Sequence, residues 1–253
     1  MKTILYTFLS IFLTFTTSCN SSRYRIIETE GHTIPMDSLQ KETNDTDFIA
    51  AVDNYKAQVD SIANQVIGHS AIFMDIQRPQ SLLSNYTSDL LCDKVSEYSK
   101  EKCDFAIMNI GGIRTSLSKG EITIGDIFNI FPFENSLCLI KLKGNDVKKI
   151  FESIASRKGE GVSKEIQMTI TSDNKIKNVT INGKNIDDNR IYTIATIDYL
   201  ANGNDGMDAF KNATERKDIP VHLRDAMLDE VKKQEAASKP LNSKMDNRLI
   251  YEK

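Results

Sequence analysis

The sequence has 253 residues, with 32 Lys and Arg against 35 Asp and Glu, giving a formal net charge of -3. That balance excludes the concentrated basic footprint needed to bind nucleic acid, and the length suits one domain with a leader or an appendage. The chain has no tryptophan, no internal repeat and no low-complexity stretch.

Lys2 precedes a mostly apolar run over residues 4–15, broken only by Tyr6, Thr7, Ser10 and Thr14. Thr16, Thr17 and Ser18 then lead into Cys19. This order reads as a processed secretory signal, and the apolar run is shorter than the roughly 17–25 residues that span a bilayer. Small residues leading into a cysteine resemble the lipobox of bacterial lipoproteins. The resemblance implies a signal peptide over residues 1–18 and an acylated Cys19 on an extracytoplasmic, membrane-anchored protein. An ordinary signal peptide with an incidental cysteine is the alternative. Cys92, Cys103 and Cys138 each lie in or near apolar segments; their odd number leaves at least one unpaired within the chain, and buried thiols are the expectation.

Residues 19–46 form a polar tether and leader, with a strand-like piece at 24–28 and a turn around Gly31. Ile49, Val52, Tyr55, Val59, Ile62 and Val66 recur at steps of three and four, which predicts a helix over 47–67 that ends at Gly68. The remaining domain, 68–253, opens with a helix over 82–100. Phe105–Met108 reads as a buried strand running into Asn109, Ile110, Gly111, Gly112, Ile113 and Arg114. A strand at 121–124, a short helix at 127–131 stopped by Pro132, a strand at 137–142 and a helix after Gly144 follow. Residues 166–170, 176–181 and 191–197 read as strands, and Asn182-Gly183 predicts a hairpin turn. A final helix covers 223–235. The mixture predicts a two- or three-layer α/β (α+β) domain with a mixed sheet.

Three loops carry chemistry. Asn109 and Arg114 flank glycines that let backbone approach a ligand closely, and an arginine fork there suits phosphate or carboxylate oxygens; a tight turn with a surface arginine fits the segment as well. Phe131 and Phe133 bracket Pro132, with one ring for the core and the other able to face a base. Tyr199 and Asp205 share a loop with Asn202, Gly203 and Gly206, offering a stacking ring and a carboxylate for sugar hydroxyls. A plain turn or a calcium loop are the alternatives, the latter disfavoured because the EF-hand order of ligands is missing.

These segments, in order, resemble the signatures of the 5'-nucleotidase C-terminal domain: residues 109–114, 132–135 and 199–206, with Ser84, Asn85 and Asp89 resembling its opening motif over residues 84–89. The likeness runs from about 66 to 251, and the preceding helix resembles the family's interdomain linker. It implies that Asn109 and Arg114 meet phosphate, sugar or their surroundings, that Phe133 and Tyr199 sandwich the base, and that Asp205 binds ribose hydroxyls. Ile110 stands where glycine is common and is expected to narrow the loop; Ser163 and Lys164 replace a frequent Ser-Gly pair. Arg78 lies near, but not on, the position of a further family arginine.

In full members a separate N-terminal domain supplies a dimetal phosphoesterase centre, and two-metal hydrolysis needs such a ligand cluster. The histidines here are His32, His69 and His222, widely separated, so neither catalytic nor metal-ligating residues are assigned. The resemblance therefore implies a nucleoside- or nucleotide-binding component whose phosphate chemistry, and whose divalent metal pair, belong to a separate metallophosphoesterase chain. A stand-alone nucleotide-binding lipoprotein is the second reading.

Overall fold

The computed structural model describes residues 27–31, 33 and 46–252, so Cys19, His32 and the 24–26 part of the expected strand lie outside the described residues. The chain divides into residues 1–46 and 47–253. In the first unit, residues 27–31 and 33 carry no regular structure, contrary to a strand reaching 28.

α1 (Thr46–Ala63), whose residues from Asp47 onward open the second unit, has no buried residue. This helix ends before the expected stop at Gly68, because Val66–Ser70 is a strand, β1. The step from Ile62 to Val66 continues a helical period only by coincidence. A Cβ on Gly68 would come within 2.5 Å of Val231 Cγ1, so the glycine lets β1 press against a later helix. β1 pairs antiparallel with β3 (Gly120–Thr123).

Ser81 caps α2 (Leu82–Ser99) by accepting the Ser84 N–H, and Lys100 closes it in the left-handed conformation. β2 (Phe105–Met108) is buried throughout. Thr123 caps α3 (Ile124–Ile130) in a reciprocal box with Asp126, the pattern that favours helix starts. β4 (Ser136–Lys143) is an interior strand and buries Leu137, Cys138, Leu139 and Ile140 in succession. α4 (Gly144–Ser156) turns Val147, Ile150, Phe151 and Ile154 inward. β5 (Gly161–Val162), β6 (Ile166–Ile170), β7 (Ile176–Ile181), β8 (Lys184–Asn185) and β9 (Ile191–Ile197) follow. Asn182 and Gly183 both take positive φ, 51° and 72°, as the tight hairpin between β7 and β8 requires.

A short helix, α5 (Asp198–Ala201), leaves β9. β10 (Glu215–His222) and β11 (Leu249–Tyr251), with α6 (Leu223–Ala236) following β10, complete the fold. The principal sheet has the order β10-β4-β9-β2-β5 and is mixed: β2 and β9 are parallel, whereas β4 runs antiparallel to β9. A second sheet has the order β11-β6-β7-β8. The layered α/β domain with a mixed sheet is thus the observed architecture. Phe105, Phe151 and Tyr192 meet in its core, with ring centroids 5.7 and 6.4 Å from Phe105.

Candidate nucleotide-binding cleft

Strand direction brings the candidate residues together. Because β2 and β9 are parallel, both deliver their following loops to one end of the sheet; the antiparallel β4 receives its preceding loop there. Those three loops carry residues 109–114, 199–206 and 133–135. Together they line a cleft of about 350 Å³ formed by Asn109, Gly111, Gly112, Arg114, Phe133, Asn135, Arg157, Tyr199 and Asp205. All five expected contact residues are in it.

The turn after β2 is built around Asn109, which is 5% exposed. Gly112 N–H donates to the Asn109 carbonyl at 3.1 Å, and Arg114 N–H to the Ile130 carbonyl at 2.9 Å. A Cβ on Gly112 would sit 2.7 Å from Met108 Cε and 2.8 Å from Asn109 Oδ1, so only glycine leaves Asn109 in place. Asn109 Nδ2 donates to Asp205 Oδ2 at 2.8 Å, while its Oδ1 is buried without a hydrogen-bond partner. Ile110 is buried and does not line the cleft.

Asp205 adopts φ 56° between Gly203 at φ 85° and Gly206 at φ 77°. The left-handed bend is held by Ser153 Oγ donating to the Gly206 carbonyl at 2.7 Å and Asn204 Nδ2 donating to the Tyr199 carbonyl at 2.8 Å. Asn202 Oδ1 accepts from Arg216 Nη1 at 2.7 Å. Tyr199 is 38% and Phe133 47% exposed, which leaves ring surface in the cleft open to a flat ligand. Arg114 Nη1 donates to the Gly111 carbonyl at 3.1 Å, and its guanidinium carbon is 6.0 Å from the Phe133 ring centre.

Sequence reasoning missed Arg157, which follows α4. Its Nε donates to Glu160 Oε1 at 2.7 Å and its Nη2 lies 3.4 Å from Asp205 Oδ1. Burial disfavours its charge, but the hydrogen bond and charge of Glu160, helped by Asp205, raise its pKa above the ordinary value. The charged pair separated by three residues, with Glu160 between two glycines, was the available signal. Asn135 stood within a recognised segment without an assigned role. Arg78 does not line the cleft; it hydrogen-bonds Glu160 and the Arg157 carbonyl.

The opening motif is structural. Asp89 binds both terminal nitrogens of Arg248 at 2.8 and 3.0 Å, and Asn85 Nδ2 donates to the Lys244 carbonyl at 3.1 Å. A larger depression of about 540 Å³ lies there, but Asp89 and Asp246 already engage its Arg248 guanidinium. His69 pairs with Glu235 and His222 with Asp225 at the surface. Among the described residues no group of three or more His, Cys, Asp or Glu is placed to hold a metal ion.

The 5'-nucleotidase C-terminal domain model matches residues 40–212. The chain belongs to this family. The 5'-nucleotidase C-terminal domain is the substrate-binding part of 5'-nucleotidases. The trifunctional nucleotide phosphoesterase YfkN of Bacillus subtilis is 28% identical over 201 residues, covering 72% of this chain and 14% of that protein. UshA of Yersinia enterocolitica is 33% identical over 114 residues, 44% of this chain and 21% of that protein. The chain thus spans a minor part of the length of these relatives. The 5'-nucleotidase precursor from Thermus thermophilus shares the 5'-nucleotidase C-terminal fold, with a TM-score of 0.70 at 24% identity over 81% of this chain and 43% of that one.

Proposed function

We propose that this chain binds the nucleoside end of a nucleotide while a separate metallophosphoesterase chain, carrying a divalent metal pair, hydrolyses the phosphate ester. The convergence of Phe133, Tyr199, Asn109, Asp205 and Arg114 on one cleft carries this reading. The rings stack on the base, worth about 1–3 kcal/mol per base. Asp205 accepts from ribose hydroxyls, Asn109 fixes that carboxylate, and Arg114 presents its fork to a phosphate. Gly111 and Gly112 let backbone approach the ligand. Water activation has no residue assigned to it in this chain.

Cys19 tethers the domain to a membrane on the extracytoplasmic side, where nucleotides reach it without crossing the bilayer. Replacing Cys19 by Ser is expected to release the protein from the membrane fraction; retention there would remove the lipid anchor from the proposal.

Calorimetric titration of the full chain with AMP, adenosine and UDP-glucose tests the binding role. Saturable heat that R114A or Y199A diminishes supports it, and absence of binding by folded protein to all three overturns it. Hydrolysis that appears only on adding a metallophosphoesterase chain supports the divided enzyme. Binding with no hydrolysis under that condition favours nucleotide capture instead.

A further inference from the structure

Arg157 lies outside every segment that carried the family resemblance, yet it reaches the cleft. The reason is Glu160, whose side chain is fully buried. Its Oε1 accepts from Arg78 and Arg157, and its Oε2 accepts the Ile110 N–H at 2.6 Å. One buried carboxylate therefore joins the segment before α2, the end of α4 and the glycine turn after β2. Removing any of these partners leaves buried charge poorly compensated, which is costly. Arg157 is held in one place by that requirement.

The consequence falls on Asp205. An ionised carboxylate offers about four lone-pair sites. Asn109 takes one on Oδ2 at 2.8 Å, and Arg157 faces Oδ1 at 3.4 Å. Each oxygen retains accepting capacity, and Asp205 lines the cleft. Two adjacent acceptors with a fixed plane match two adjacent hydroxyl donors. Arg157 faces two carboxylates, Glu160 and Asp205, and so links the buried anchor to the cleft carboxylate.

We propose that Arg157, anchored by Glu160, is a positioning residue that fixes Asp205 as a two-pronged acceptor for a vicinal diol and makes the cleft selective for ribonucleosides over deoxyribonucleosides. This rests on reading the cleft as a nucleoside site. A hydrogen bond to a charged acceptor is worth enough for the wild type to prefer adenosine over 2'-deoxyadenosine by about tenfold or more.

The test is calorimetry of both nucleosides with the full chain as wild type, D205N, R157M, R157K and E160Q. R157M, shown folded by circular dichroism, is expected to bring the two affinities within about twofold of each other, with the larger loss falling on adenosine. R157K, which keeps a cation near Asp205, restores part of the preference; D205N abolishes it. E160Q, shown folded by circular dichroism, weakens the preference in the same direction. Equal loss of both affinities in R157M, or an unchanged ratio, overturns the positioning role. Wild-type binding without preference overturns this inference alone, whereas no wild-type binding to either nucleoside overturns the nucleoside reading with it.

Discussion

Gly112 shows how one hydrogen in place of a methyl group sustains the cleft. Its missing Cβ leaves room for Met108 Cε and Asn109 Oδ1, and Asn109 in turn holds Asp205. G112A is expected to lose about 1–3 kcal/mol of stability through overcrowding and to weaken nucleoside binding; urea unfolding and calorimetry measure the two effects. Tyr199 makes a different kind of contribution. Y199A is expected to weaken adenosine binding by about 1–3 kcal/mol, whereas Y199F keeps the stacking face and most of the affinity. Equal losses in both variants would locate the effect in the hydroxyl instead of the ring.

Between elements, the clearest device is the clamp that fastens the C-terminal segment to α2. Arg248, 3% exposed, binds Asp89 and Asp246 and donates to the Val162 carbonyl at 2.9 Å. R248A leaves both carboxylates without their guanidinium and is expected to cost about 3–5 kcal/mol in chemical denaturation. The same clamp sets a pH dependence. The Arg248 hydrogen bond lowers the Asp246 pKa from its ordinary 3.8 despite opposition from burial. Folding therefore favours its ionised form: that stabilisation is fully present above the ordinary value and is lost as pH falls through the lowered folded value. D246N should flatten the acid limb of the stability profile in that window, and an unchanged limb would remove Asp246 as its source.

Across the whole molecule the core isolates three thiols. Cys92, Cys103 and Cys138 are free and buried. Burial raises all three pKa values, Cys103 to about 11 and Cys138 to about 12. Since the thiolate is the reactive form, a thiol reagent at about pH 8 should leave these three unmodified in the native protein and label them on denaturation. Rapid native labelling would show that the core opens. The principal sheet meanwhile exposes β10 at one edge, with Glu215, Arg216, Lys217 and Asp218 on the outside. Charge on an edge opposes pairing with other chains.

Periodicity and turn chemistry are local, so the sequence alone determined the buried strand Phe105–Met108, the strand Ile191–Ile197, the amphipathic α4 and the Asn182-Gly183 hairpin. It also marked the three loops that converge on the cleft, because glycines, aromatic rings and charged groups are concentrated in them. Only tertiary structure decided where α1 stops, since β1 forms by pairing with β3 and packing Gly68 on Val231. β10 escaped sequence reasoning because an edge strand can be charged and lack alternation. Arg157 and Glu160 escaped it because their significance depends on Arg78, Ile110 and Asp205, residues distant in the chain. Local preferences are encoded within a few residues; the Asp205 carboxylate acquires its orientation only when the parallel strands bring separate loops to the same end of the sheet.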